Sequence, residues 1–454
     1  MRFSRVARIG ALAFMLSILP AAAQAETLRE ALESAYANNP NIMSALLSVK
    51  MSAEDIALRK AGKRPQITLD GSLTNSFAVN QAFGATTSRS WQMGVSYRQN
   101  LFDNFQTEAQ IEQARAFTEL SKYALRNEEQ NVLLQVATSY MNVLRDTQLV
   151  QLRGDNVAFF EAQVSSAEDR LRLGEGTRID VSQAATRQAQ AVASYQAAVT
   201  SLQTSRASYE RWVGHPPRNL SPEFRFGDLI PASVDIAIGQ AEEQNPAILT
   251  SRASIRAAQA GSDAARAAFG PTLDLIGSLC GIGCVPGMPD ATGMSGSLTL
   301  SVSVPLYSGG SLGASVRKAN LGQIQSEVDA LSTRDQVRES VISAWSSMQN
   351  AIAQIQSAES AVSSGQLVVE GLIQERDVGQ RTTLDVLNAQ AELTSAREGL
   401  ISATSSRVIA AFALVAATGR LSPPELGLNV EVKSADGYIA TVEDVWQELR
   451  SIDE

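Results

Sequence analysis

The residues best placed to do chemistry lie in one short phrase that occurs twice. The phrase reads LGEGTRIDVSQAA in the first half of the chain and VGQRTTLDVLNAQ in the second half. Placing Gly379 on Gly174 also places Asp385 on Asp180, at a constant offset of 205. A glycine interruption followed by an aspartate is typical of a helix start, so both aspartates can act as caps. The phrase therefore predicts the turn of a helical hairpin, present twice.

The other reactive residues do not form a catalytic group. Cys280 and Cys284 lie in the stretch CGIGCVPGMP, which predicts a local disulfide in an oxidising compartment, with two unpaired loop thiols as the alternative. The single histidine, His215, is followed by two prolines and is interpreted as a loop residue. With no metal-ligand cluster and no nucleophile motif, the sequence predicts a protein that is not an enzyme and that needs no cofactor.

The first 25 residues have the features of an export signal. Three arginines precede an apolar run over 9–19, and small residues at 23–25 provide a cleavage site before Glu26. Because the residue at the cut is not cysteine, no lipid anchor is expected there. No later stretch offers the roughly 20 uninterrupted apolar residues of a spanning helix. Loss of three arginines and no acids takes the formal charge from −9 to −12, which argues against a nucleic-acid partner.

The resemblance between the halves extends well beyond the opening phrase. Asn39-Pro40 aligns with Asn245-Pro246 at an offset of 206, and Leu101 aligns with Leu306 at an offset of 205. Two copies in register indicate a duplicated fold of roughly 200 residues each. The predicted divisions are a signal peptide over 1–25, a first repeat over 26–225, a second repeat over 226–424 and a C-terminal tail over 425–454.

Each repeat contains a segment in which apolar and polar residues alternate. The clearest is MSGSLTLSVSVPLY, where serines and a threonine occupy the positions between the apolar residues. Alternation of this kind predicts two β-hairpins, at about 66–103 and 272–307. The polar positions are hydroxyl-bearing and not charged, which suits a wet lumen inside an apolar outer wall.

Long helical stretches follow each hairpin. Apolar residues recur at a spacing of seven, and the series in the first copy is Val136, Val143, Val150, Val157, Val164 and Leu171. The pattern predicts helices that supercoil against their neighbours, in helical hairpins over 105–213 and 313–418. A helix from Phe105 to Leu173 would be on the order of 100 Å long, which the alternative of an ordinary buried bundle does not accommodate.

Four strands cannot close into a barrel, and an open sheet edge cannot face lipid. The sequence therefore requires several chains to pool their strands. The chain resembles the TolC family of outer-membrane efflux and type I secretion channels. The duplicated Asn-Pro pairs, the strand pairs and above all VGQRTTLDVLNAQAEL carry this resemblance, over nearly the whole mature chain.

The resemblance implies an α+β membrane protein that forms a homotrimer. Its 12-stranded β-barrel, with four strands from each chain, would lie in the outer membrane of a Gram-negative cell, in contact with lipid. An α-helical tunnel would continue it through the periplasm and close at the inner tip. The implied partners are a periplasmic adaptor protein and an inner-membrane transporter of the ABC, RND or MFS type.

The resemblance also assigns roles to residues of the repeated phrase. Asp180 matches the aspartate that ties the closed aperture, Arg381 matches its arginine partner, and Asp385 matches the aspartate at the narrowest point. Two positions depart from the family's pattern: Asn388 replaces a second acidic residue, and Arg376 replaces a tyrosine of the aperture network. The alternative for both aspartates is helix capping alone.

The function expected from these features is a passive exit duct for drug efflux, type I protein secretion or both. A non-conducting scaffold or adhesin that spans the periplasm is the alternative. The Ser/Thr face of the strands argues against a scaffold, because a non-conducting barrel would be filled with bulky side chains.

Overall fold

The computed structural model describes residues 25–80, 84–222, 229–284, 293–443 and 445, so all of the predicted signal peptide except Ala25 lies outside the described residues. The first half contains α1 (Leu28–Asn38), α2 (Pro40–Ala61), β1 (Gln66–Asn80), β2 (Gly84–Phe102), α3 (Gln106–Leu173) and α4 (Arg178–Val213). The second half contains α5 (Val234–Gln244), α6 (Pro246–Ala267), β3 (Thr272–Cys284), β4 (Gly293–Ser303), α7 (Ser311–Asp377) and α8 (Thr383–Ala417), and α9 (Asp436–Val442) follows.

The Asn-Pro pairs begin equivalent helices in the two halves. Asn39 caps α2 and Asn245 caps α6, each accepting a hydrogen bond of 2.9 Å from a backbone N–H of the first turn. The same two side chains donate to the carbonyl of Trp212 at 3.2 Å and of Ala417 at 2.8 Å. Each asparagine therefore starts one helix and fastens it to the end of another.

The four strands form one antiparallel sheet in the order β1-β2-β3-β4. The register places Thr68, Ser96, Ser278 and Ser297 in one row, and the Ser278 and Ser297 hydroxyl oxygens lie 2.8 Å apart. The neighbouring row contains Leu69, Val95 and Leu279. On this second face Leu69 is 68% exposed and Leu298 is 77% exposed. The sheet thus has a hydroxyl-lined face and an apolar face, as the alternation predicts.

The second β-hairpin is shorter than expected at its end. β4 stops at Ser303, although the alternating pattern continues to Tyr307. Pro305 lies two residues further on, and because proline has no N–H it cannot extend a ladder of strand hydrogen bonds.

The predicted disulfide is not formed in this structure. Both cysteines lie on β3 and not in a loop, Cys280 has a free thiol, and the Cys284 side chain lies outside the described residues. Four residues along a strand separate the two Cα atoms by about 13 Å, well beyond disulfide reach. The intervening Gly281 pairs with Met93 on β2, so the ladder continues through the glycine-rich stretch.

The long helices form the body of the protein beyond the sheet. α3 has 68 residues and α7 has 67, so each is on the order of 100 Å long. The heptad residues Val136, Val143 and Val341 are buried, as the spacing of seven predicts. α3 packs against α2 and α6 near the sheet, and against α4 and α8 in its other half. α7 packs against α6 and then α8.

α8 contains no stretch of about 20 uninterrupted apolar residues, as expected from the sequence. By length and overall composition alone, it is the one described helix that could cross a membrane. In this fold it packs along α7 and α3, so its apolar residues cover other helices. The C-terminal segment lies on the outside of α2, where the Tyr438 hydroxyl donates to Glu54 at 2.6 Å and Lys60 pairs with Glu443 at 3.1 Å.

The passage from strand to long helix requires left-handed backbone in both halves. Asn104 and Phe105 have φ of 55° and 65°, and the equivalent Gly309 and Gly310 have φ of 60° and 84°. Glycine adopts this conformation without the steric cost that a side chain brings. The two junctions therefore share a shape although their residue types differ.

Candidate functional site

The candidate site is the tip, which consists of the two turns that join α3 to α4 and α7 to α8, with the adjoining helix ends. Gly174 has φ of 80° and Gly379 has φ of 78°, a left-handed conformation that ends each long helix. The next residues, Glu175 and Gln380, donate their backbone N–H back to carbonyls of the preceding helix, both at 2.8 Å. The two turns thus have nearly the same backbone geometry.

A capping box begins the next helix at each turn. Thr177 is the cap of α4, and its hydroxyl accepts from the N–H of Asp180 at 3.2 Å while that carboxylate accepts from the N–H of Thr177 at 2.9 Å. Thr382 and Asp385 repeat this arrangement at 3.2 and 3.0 Å. The prediction that the aspartates themselves are the caps was therefore wrong by three positions, because the threonine side chain fits the cap position and the carboxylate completes the box.

These hydrogen bonds stabilise the charged form of both carboxylates. The Thr177 hydroxyl, then its backbone N–H, lower the pKa of Asp180 below its ordinary value, and Arg170 contributes in the same direction. The hydroxyl and N–H of Thr382 lower the pKa of Asp385 in the same way, with a smaller contribution from Arg381. The Asp180 and Asp385 carboxylates are therefore both negatively charged at neutral pH.

Arg381 does not contact Asp180 within the chain. Its Nε donates to Glu375 Oε2 at 2.9 Å, so its ion pair closes within its own turn. Asp180 is engaged by Thr177. A pair between Asp180 and Arg381 stays a prediction, and in a ring of chains it would have to form between neighbouring subunits.

Arg376 is the residue that connects the two hairpins at the tip. It is only 7% exposed, and its Nη1 donates to Gln163 Oε1 of α3 at 2.5 Å. Its Nη2 donates to Asp377 at 2.8 Å. Sequence reasoning identified Arg376 but missed Gln163, whose only signal is a polar side chain next to the apolar series of α3.

Asn388 also has a partner that the sequence did not suggest. Arg187 of α4 donates from Nη2 to Asn388 Oδ1 at 2.8 Å. Both side chains lie on the surface of their helices, Asn388 about one turn and Arg187 about two turns beyond the aspartates of the capping boxes. The available signal was one cation within the otherwise neutral stretch VSQAATRQAQAVAS.

An apolar cluster completes the contact between the hairpins. Leu387 of α8 is fully buried against Phe160 of α3 and against Ala184 and Ala191 of α4. Further along, Arg153 of α3 pairs with Glu398 of α8 at 2.6 Å. The second hairpin thus packs through α8 against both helices of the first hairpin, α3 and α4.

The chemistry available at the tip is electrostatic and mechanical. Its functional groups are carboxylates, guanidiniums and amides, which can attract cations and hold helices together. In the part of the chain that the structure describes, no three residues among His, Cys, Asp and Glu are grouped to hold a metal ion.

A sheet with one polar and one exposed apolar face, continued by helices on the order of 100 Å long that end in charged turns, defines a channel-forming protein of the barrel-and-tunnel class. The chain belongs to the family described as outer membrane efflux protein, whose sequence model matches residues 31–215 and 237–420. The two matched segments correspond to the two halves of the fold.

Individual relatives agree with this assignment. The chain is 37% identical over 434 residues to the outer membrane efflux protein BepC of Brucella suis biovar 1 (strain 1330), covering 95% of this chain and 94% of the relative. It is 24% identical over 436 residues to the outer membrane protein TolC of Escherichia coli (strain K12), covering 90% and 86%.

A solved structure shows the same fold. The crystal structure of CusC, described as undergoing transmembrane channel formation, matches with a TM-score of 0.76 at 20% identity and covers 86% of this chain and 92% of the other. At that identity the likeness concerns the fold alone.

Proposed function

We propose that this protein is the exit duct of an efflux or type I secretion system, a passive conduit from the periplasm through the outer membrane. The observation that carries the proposal is the sheet, whose hydroxyl-lined face and exposed apolar face suit a water-filled pore in lipid. The name of the Brucella relative, an efflux protein, favours a conducting duct over a non-conducting scaffold.

The assembly that fits is a closed ring of three chains. The protomer has two unlike flanks. β1, α2 and α4 form one flank, and β4 and α7 form the other. Apolar residues are exposed on both flanks, such as Met51 at 64% and Leu331 at 61%. Unlike flanks that join head to tail generate rings, and three chains supply the 12 strands of a closed barrel.

The tip supplies the aperture. In a ring, Asp180 of one subunit and Arg381 of the next can pair and hold neighbouring hairpins together. Three Asp385 carboxylates would surround the axis at the narrowest point, where low-dielectric walls focus their field and favour cations. A periplasmic adaptor and an inner-membrane transporter of the ABC, RND or MFS type would engage this closed end.

Planar-bilayer recording tests the proposal. The purified protein should be a trimer by light scattering and should form cation-selective pores. Asp385→Asn should lower the cation preference, and Asp180→Ala or Arg381→Ser should raise resting conductance while the trimer persists. The matched control is Asp169→Asn, an exposed carboxylate that pairs with Arg172 just before the first turn.

Two results would contradict the proposal. Protein that inserts into the bilayer as a trimer without conducting would favour the scaffold, and a monodisperse folded monomer would exclude the ring.

A further inference from the structure

The contact between Arg187 and Asn388 adds a charge at the constriction that the repeated phrase does not contain. Arg187 makes two hydrogen bonds, to Asn388 Oδ1 at 2.8 Å and to Gln190 Oε1 at 3.4 Å. Both acceptors are neutral amides. Among the described residues no carboxylate lies within ion-pair distance of Arg187, so its positive charge is not neutralised locally.

The position of this charge relative to Asp385 follows from helix geometry. Asp385 and Asn388 are three residues apart on α8, which places their side chains on one face about 5–6 Å apart. Arg187 reaches across from α4 and is held on Asn388, one turn from the Asp385 carboxylate. The other nearby guanidinium, Arg381, is already paired with Glu375 at 2.9 Å.

We propose that Arg187 is a specificity-determining residue of the channel, which offsets the Asp385 charge and sets how strongly the aperture prefers cations. This inference rests on the proposed function in that Asp385 lines the path. In a trimer, three guanidiniums would lie one helical turn from three carboxylates. The aperture then has a modest cation preference, and multivalent cations bind it less tightly than a bare ring of acids.

The proposal also gives Asn388 a definite role. A neutral amide accepts from Arg187 and leaves its charge available to act on Asp385. An aspartate at this position would instead form a charge-assisted pair with the guanidinium. Asn388→Asp alone should therefore raise the cation preference about as much as Arg187→Gln does, since Arg187 would pair with the new aspartate and would no longer offset Asp385.

The test is a set of reversal-potential measurements and titrations with La³⁺ from the side of the tip. Arg187→Gln should raise the cation-to-anion permeability ratio, and lower the La³⁺ concentration for half block, by roughly two- to fivefold, the range expected for exposed charges. Arg187→Lys keeps the charge but loses the planar fork, and should remain close to the wild type. Asn388→Asp should strengthen block to an extent similar to that of Arg187→Gln, and the variant that carries both Arg187→Gln and Asn388→Asp should be blocked most strongly.

Arg397 provides the matched control. Its guanidinium also donates to a side-chain amide oxygen, that of Gln366 on α7. It lies nine residues beyond Asn388 on α8, about 13 Å away and past the Debye length at physiological ionic strength. Arg397→Gln should leave both selectivity and block unchanged.

The outcomes separate this inference from the proposed function. Equal selectivity in the wild type and Arg187→Gln, or equal block of the Asn388→Asp variant with and without Arg187→Gln, overturns the role of Arg187. If Arg187→Lys behaves like Arg187→Gln, the contact acts through structure and not through charge, which also overturns it. If Asp385→Asn leaves selectivity unchanged, the proposed constriction fails first. Light scattering on every variant checks that the trimer is intact.

Discussion

The two turns at the tip have nearly the same backbone geometry and capping hydrogen bonds, but their adjoining helices make different contacts. Both have a left-handed glycine and a Thr-Asp capping box with hydrogen bonds that agree within 0.1 Å. Their surroundings differ, because α7 and α8 contribute Arg376, Leu387 and Asn388 to contacts with the first hairpin. The equivalent residues of the first hairpin, 205 positions earlier, are Leu171, Ser182 and Gln183.

The turn itself is therefore alike in the two halves of the chain, while the side chains that contact the other hairpin differ. The first hairpin provides a surface between α3 and α4. The second hairpin provides Arg376, Leu387 and Asn388, whose side chains contact the first hairpin. The residues that differ between the two halves are therefore among those that hold the two hairpins of one chain together.

The largest effect should come from the apolar contact. Leu387→Ala removes a fully buried side chain and should cost about 2–5 kcal/mol of local stability. The equivalent Ser182→Ala is exposed and should be close to neutral. Hydrogen exchange of the first two turns of α4 and α8 measures this, and similar losses in the two variants would break the comparison.

The polar link should come next. A double-mutant cycle of Arg376→Ala and Gln163→Ala should give a coupling of about 1.5–3 kcal/mol, because a buried hydrogen bond to a charged group is broken. Resting conductance should rise in both single variants. Arg172→Ala, which breaks an exposed pair with Asp169, is the control and should cost at most about 1 kcal/mol. Additive effects of Arg376→Ala and Gln163→Ala would show that the link carries no energy.

The caps should behave alike in the two copies. Thr177→Ala and Thr382→Ala should each destabilise their helix by about 1 kcal/mol, since each removes one side-chain acceptor and half of a capping box. Exchange rates of the first-turn amides of α4 and α8 report this directly. A cost at one turn that is several times the other would mean that the surroundings, and not the box, hold that turn.

The smallest effect should come from pH. The pKa values of Asp180 and Asp385 are both lowered from 3.8, so their contribution to stability is complete above that value and is lost as the pH falls through the folded-state pKa. Cation selectivity and the protection factors of the tip amides, which are corrected for the intrinsic pH dependence of exchange, should therefore be constant between pH 8 and 5 and change only below about pH 4. A transition near neutral pH would assign the titration to another group.

Much of the fold could be predicted because its signals are local. Alternation gave the strands, and the register confirms a polar and an apolar face. Spacing of seven indicated the long helices, and the buried valines confirm it. The glycine and Thr-x-x-Asp pattern located both turns. Errors arose where neighbours decided the outcome, as when pairing with β2 kept Cys280 and Cys284 in a strand.

What the sequence determined by itself is therefore mainly what depends on residues within a few turns of one another: the location of the turns, helix length and strand alternation. Tertiary structure alone decided which side chains meet across the hairpins. Arg376 and Gln163 are 213 residues apart, and Arg187 and Asn388 are 201 apart. Those contacts depend on the axial position of α8 relative to α3 and α4. Burial of Leu387 sets that register, and no periodicity within a single helix encodes it.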